Sequence, residues 1–114
     1  MREITDGDNK NIRVANIYVH DIFAATFIQE DNHYVLKYDP NYSGPPISLT
    51  LPVSAVPYTF DTFPAFFDGV LPEGPHLEAL LKLAKLDRHD YFGQLLKVGR
   101  DLVGAVTVLE RHNR

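Results

Sequence analysis

Cysteine is absent from the chain, which removes disulfide frameworks and thiolate chemistry and makes a reducing cytoplasm the expected compartment. Long apolar runs are absent too. No stretch approaches the roughly 20 residues that span a bilayer, and the opening Met1-Arg2-Glu3-Ile4-Thr5-Asp6-Gly7-Asp8 is too polar for a secretory signal. Basic charge is scarce, with a formal net charge of −4 and no contiguous basic stripe. The short basic end, Arg111-His112-Asn113-Arg114, reads as a frayed tail, so direct duplex-DNA binding is not expected. The glycine loop that covers phosphates is missing as well. No G-x-G-x-x-G occurs, and Gly93, Gly99 and Gly104 have the wrong spacing for one. Arg88-His89-Asp90 and Phe67-Asp68-Gly69 hold kinase-motif letters out of order, and Leu95 stands where the catalytic loop needs asparagine. A helix cap and a turn account for both. His20, His33, His76, His89 and His112 are scattered, none at a metal-ligand spacing, and no serine has a nucleophile context. The residues therefore argue against an enzyme, a metal site or a cofactor.

What is present suits one domain of 114 residues, long enough to bury about two-thirds of its unfolded surface. Residues 1–12 read as a polar lead-in, 13–110 as a single domain and 111–114 as the basic tail. From Arg13 the apolar period is two. Ala15, Ile17 and Val19 share a face, His20-Asp21 turns the chain, and Phe23, Ala25 and Phe27 repeat the pattern. Glu30-Asp31-Asn32 is a second turn, and Tyr34, Leu36 and Tyr38 mark a third strand. Together they predict an antiparallel meander. A proline loop follows, Asn41-Tyr42-Ser43-Gly44-Pro45-Pro46. Ile47, Leu49 and Leu51 then alternate as a short strand closed by Pro52, and Val53 to Phe60 reads as a connection. The period next becomes helical at Leu77, Leu80, Leu81 and Ala84, widened by Leu83 and Leu86, with Glu78 and Lys82 one turn apart. A second helix is expected from Asp87, with Asp90 at its capping-box position and Gly99 as a left-handed cap. Val103, Ala105, Val106, Val108 and Leu109 predict a final strand. The class is α+β: a small antiparallel sheet, meander plus C-terminal strand, with a helical pair packed on one face.

Between these parts lies Phe63-Pro64-Ala65-Phe66-Phe67-Asp68-Gly69-Val70-Leu71-Pro72-Glu73-Gly74. Pro64 fits the first turn of a short helix with Asp61 or Thr62 as a cap, and Gly69 ends it. Leu71-Pro72 is extended, and Glu73-Gly74-Pro75 opens the next helix. Tyr58, Phe60, Phe63, Phe66 and Phe67 crowd this region more densely than one small core needs. About half should face the core, leaving others as partner anchors, since aromatic residues dominate interface hot spots. Phe63, Phe66, Phe67, Leu71 and Pro72 are the candidate contact residues, with Tyr42 in the proline loop as a further one.

Phe66-Phe67-Asp68-Gly69-Val70-Leu71-Pro72-Glu73-Gly74 resembles the F-F-x-x-L-L-P-E-G signature of the HipA family N-terminal subdomain. Pro46-Ile47-Ser48-Leu49-Thr50-Leu51-Pro52 is similar to that family's P-L-S-L-S-L-P run. Asp90-Tyr91-Phe92-Gly93-Gln94-Leu95-Leu96 and Gly99-Arg100-Asp101-Leu102-Val103-Gly104-Ala105-Val106 resemble its D-x-F-x-L-L and G-x-D-x-x-G-A-V. The resemblance implies the non-catalytic subdomain that precedes the lobes of a bacterial Ser/Thr kinase toxin. In three-component systems of this kind the subdomain stands alone as the antitoxin HipS, beside a shortened kinase, HipT, and a DNA-binding protein, HipB. The expectation is therefore a HipS-like antitoxin that neutralises a separate HipT- or HipA-like kinase, with a HipB-like protein in the same complex. The initiating Met and a chain that stops before any kinase motif favour this. The alternative is the scaffolding subdomain of a HipA-type kinase.

Overall fold

The computed structural model describes residues 12–31, 33–101 and 105–111. Three strands come first, β1 Ile12–Val19, β2 Ile22–Glu30 and β3 His33–Tyr38, followed by a short β4 at Tyr58–Phe60. Three helices follow, α1 Ala65–Asp68, α2 Gly74–Ala84 and α3 Tyr91–Val98, and β5 at Val106–Glu110 returns to the sheet. The sheet is antiparallel with spatial order β4-β3-β2-β1-β5. The first turn works because His20 and Asp21 both adopt left-handed backbone, φ 51° and 67°, as a two-residue hairpin turn of the primed type requires. Beyond it the β1–β2 register slips between Ile17 and Tyr18, with Ala24 as the extra residue. Such a bulge strengthens the local twist of the strand pair.

One face of the sheet carries Ala15, Ile17, Val19, Ala25, Phe27, Tyr34, Leu36, Tyr38 and Val108, all buried. Phe67 of α1 and Phe92 and Leu95 of α3 cover it with no exposed surface of their own. Phe27 is the centre, its ring 4.6 Å from Phe67, 5.3 Å from Phe92, 5.8 Å from Tyr34 and 6.0 Å from Phe63. Each large side chain sealed this way contributes about 1.5–3 kcal/mol. Helix α3 is fixed at its start by Asp90, whose Oδ1 accepts from the Gly93 N–H at 3.0 Å and from Arg13 Nη1 of β1 at 2.7 Å. The Arg13 guanidinium also lies over the Phe92 ring at 5.2 Å. Helix α2 is different, for none of its residues is fully buried. Its link to α3 is held by the Arg88–Glu78 ion pair at 2.7 Å. The buried Gln94 amide also holds that link, donating to the Arg88 carbonyl at 2.9 Å.

Several expectations need correction. Ile47, Leu49 and Leu51 form no strand. Ser48 and Leu51 make an isolated bridge, which leaves Leu49 93% exposed at the tip of a turn. Their alternation lacks a neighbouring strand to pair with. The connection from Val53 to Phe60 does contain one, β4, which runs along β3. Asp90 is itself the N-cap of α3, so the helix starts three residues later than a start at Asp87 placed it. Glu78 pairs with Arg88 rather than with Lys82, and Leu83 points to solvent. Gly99 is right-handed, not left-handed; its need is for space, since a Cβ there would stand 2.0 Å from the Val108 carbonyl oxygen. The left-handed cap belongs to Lys85 at the end of α2, φ 57°. Arg111 is docked rather than frayed: its N–H donates to Val14 O at 2.9 Å, and its guanidinium reaches Asn16 and Thr26. The lead-in up to Asn11, together with Asn32, Val103 and residues 112–114, lies outside the described residues.

Candidate partner-binding surface

Pro64 precedes α1 as an extended N-cap without side-chain help from Asp61 or Thr62. The helix lasts one turn, and Gly69 N–H closes it on the Ala65 carbonyl at 3.0 Å. Four helical residues cannot hide two consecutive phenylalanines on one side. Phe67 therefore points into the sheet and is wholly buried, whereas Phe66 is only half-buried at the rim. Beyond Gly69 the chain continues as a tight turn rather than the expected extended Leu71-Pro72. Val70 N–H donates to the Phe67 carbonyl at 3.1 Å and Leu71 N–H to the Asp68 carbonyl at 3.2 Å. The chain is extended at Glu73. It re-enters a helix at Gly74, whose left-handed backbone, φ 59°, suits glycine.

The structure brings Phe63, Phe66 and Phe67 together, with ring centroids 5.2 Å apart for Phe66–Phe67 and 6.3 Å for Phe63–Phe67. Their surroundings differ. Phe63 meets four rings, Phe27, Tyr34, Phe67 and Tyr91, and serves the core edge. Phe66 meets Phe67 alone among the described aromatic pairs, and keeps an open side. Beside the corner a groove of about 260 Å³ runs between Asp68, Leu71 and Pro72 on one bank and Arg88, His89 and Tyr91 on the other. Its lining carries two acidic groups, Asp68 and Glu73, with one basic and one imidazole group, around the apolar Leu71, Pro72 and Leu77.

Three of the proposed anchors are largely buried. Phe67 and Leu71 belong to the core; the one-turn helix directs Phe67 at Phe27. Tyr42 is buried away from the corner, stacked on Tyr38 at 6.1 Å with its hydroxyl donating to the Pro45 carbonyl. Phe63, Phe66 and Pro72 retain partial exposure. Sequence reasoning missed the groove's other bank, Arg88, His89 and Tyr91. The Asp87-to-Asp90 turn signal was the available hint. It also missed the exposed aliphatic tips Leu49, Val53 and Val56, although no charged residue lies between Asp39 and Asp61.

The loop that carries those tips is tied down by tyrosine hydroxyls. Tyr38 accepts from the Ile47 N–H at 3.0 Å and donates to the Leu51 carbonyl, and Tyr58 donates to the Pro52 carbonyl at 2.6 Å. Burial raises the ionisation of Tyr38 above the ordinary phenol range, partly offset by the Ile47 N–H; burial alone raises Tyr42. Tyr34 is raised by burial and then by the nearby Asp90 carboxylate. Among the described residues no cluster of three His, Asp or Glu side chains is placed to hold a metal, and no helix is long and apolar enough to cross a membrane.

Comparison with known proteins fits this geometry. A protein of Haemophilus influenzae described only as uncharacterized is 30% identical over 101 residues, covering 87% of this chain and 93% of that protein. The solved N-terminal domain of HipA toxin superposes with a TM-score of 0.73 over the whole of both chains, at 23% identity, and so shares the fold. The family profile of the HipA N-terminal domain matches residues 15–109, from the first buried alanine of β1 to the last apolar residue of β5. The chain belongs to the HipA N-terminal domain family.

Proposed function

We propose that the chain is a HipS-like antitoxin without catalytic activity of its own, which binds a separate HipT- or HipA-like Ser/Thr kinase toxin and keeps it inactive. A HipB-like DNA-binding protein is the further member of the complex. The observation that carries this reading is Phe66. It is a large ring left half-covered at the rim of a one-turn helix, within the motif that relates the chain to its family. The adjoining groove between Pro72 and Tyr91 supplies apolar surface for a partner to continue over. The Haemophilus relative supports a free-standing role, because the aligned region makes up nearly all of that protein. The alternative, a scaffolding subdomain of a HipA-type kinase, draws on the full-length superposition with a domain of the toxin. It would use the same surface within one polypeptide.

The test is binding and neutralisation with the cognate kinase expressed separately. Phe66→Ala should weaken binding about 30-fold, as loss of an anchor worth about 2 kcal/mol does, and release kinase toxicity in cells while the melting temperature stays near the parent. Phe67→Ala should instead cost about 3–5 kcal/mol of stability. A Phe66→Ala protein that folds normally and still neutralises the kinase at parental levels would place the contact elsewhere. Failure of the parent chain to bind a separate kinase at all would favour the scaffolding alternative.

A further inference from the structure

Among the described residues, α1, α2 and α3 all lie to one side of the sheet and none covers its other face. Strand register arranges that face in rows. Val14, Ile28 and Val35 form an aliphatic row across β1, β2 and β3. Asn16, Thr26 and Lys37 form the next, and Tyr18 with Phe23, their rings 5.8 Å apart, begins a third. Arg111 lies along the middle row, Nε donating to Asn16 Oδ1 at 2.8 Å and Nη2 to Thr26 Oγ1 at 3.3 Å. It shares a depression with Lys37, and the Asp39 carboxylate, which accepts from the Asn41 N–H, lines the same depression. Among the described residues neither cation forms a salt bridge. A solvated antiparallel face ordinarily alternates to polar residues; this one sets a cationic stripe between aliphatic and aromatic rows.

We propose that this face binds an amphipathic helix of a partner protein in which one carboxylate is flanked by apolar residues. The spacing makes the match. Successive rows on one face of a strand are about 6.8 Å apart, and successive helical residues four positions apart advance about 6 Å. A helix laid along the strands would set an apolar side chain on Val14–Ile28–Val35 and a carboxylate between Lys37 and Arg111. A second apolar side chain would then rest on Tyr18–Phe23. A helix satisfies its own backbone groups, so it can cover the face without needing a sheet edge. This surface lies on the opposite side of the sheet from Phe66 and stands independently of the kinase contact.

The experiment uses the full chain, isotope-labelled, with a synthetic helical peptide whose central glutamate has a leucine four residues away on each side, and a twin carrying lysine at the centre. The glutamate peptide should shift amides of β1, β2 and β3 saturably below about 1 mM and bind at least about tenfold more tightly than its twin. Lys37→Glu, at an exposed position, should abolish that preference and let the lysine peptide bind. Absence of binding, equal binding of the two peptides, or shifts confined to α1 and the Pro72 groove would each overturn the proposal. So would sedimentation showing that a second copy of the chain occupies the face.

Discussion

Replacing Tyr38 by Phe removes one oxygen and leaves the ring, so its stack on Tyr42 and its place in the core are preserved. What is lost is a two-way bridge, because the Ile47 N–H no longer has an acceptor and the Leu51 carbonyl no longer has its donor. Both residues are buried, at 5% and 7% exposure. An unsatisfied buried polar group costs about 1–3 kcal/mol, and slight opening of the loop to water reduces the sum for the pair to about 2–3 kcal/mol. For a domain of this size that is a fall in melting temperature of about 8–12 °C. Tyr58→Phe is the internal control. Its hydroxyl donates to Pro52 at the surface, where water replaces the lost bond and the expected cost is under about 1 kcal/mol. Thermal melts compare the two, and hydrogen exchange at the Ile47 amide reports the local event. A Tyr38→Phe protein that melts within about 2 °C of the parent, with Ile47 still protected, would refute the idea that this hydroxyl holds the loop.

Gly99→Ala should cost about 1–3 kcal/mol in chemical denaturation, since the added methyl meets the backbone of β5 rather than a flexible side chain. Raising the pH should destabilise the fold from about 10 upward. Tyr34, Tyr38 and Tyr42 ionise above their ordinary value of 10.0 when folded, so the unfolded chain loses those protons first. Their contribution is whole below that pH and is lost as pH climbs through the folded-state values. Absorbance titration of tyrosinate alongside melts checks this, and Tyr38→Phe should flatten the dependence. The purified chain should hydrolyse no ATP and phosphorylate nothing; turnover that survives rigorous purification and tracks the chain's concentration would count against the proposed function.

The meander was legible because burying one face of a strand imposes a period of two, and Ala15–Ile17–Val19 and Tyr34–Leu36–Tyr38 display it. The same rule misled at Ile47–Leu49–Leu51. There the alternation comes from a tight turn, in which Tyr38 anchors the buried ends while Leu49 projects outward. Strand β4 escaped notice because three residues between Pro57 and Asp61 are too few to establish a period. At the aromatic corner, sequence named the aromatic residues but not how they divide between core and rim. Which of Phe66 and Phe67 turns inward depends on the phase of a single helical turn relative to Phe27, and composition does not encode that. Gly99 and Arg111 were misjudged for a related reason. Each is explained by packing against a strand outside its own segment, Val108 of β5 for Gly99 and β1 with β2 for Arg111.

The pairing of β5 with β1 joins nearly the two ends of the described chain, Asn16 against Leu109 and Ile17 against Val108. A ribosome therefore releases this sheet in an order that postpones its closure. The meander can form early, but among the described strands only β5 closes the outer edge of β1, and it emerges last. Contacts of such long sequence separation fold slowly and leave a pairing-competent edge exposed meanwhile. Translation speed through the helical segment thus sets how long that edge remains available to other chains, and a break anywhere before Val106 would leave it permanently so.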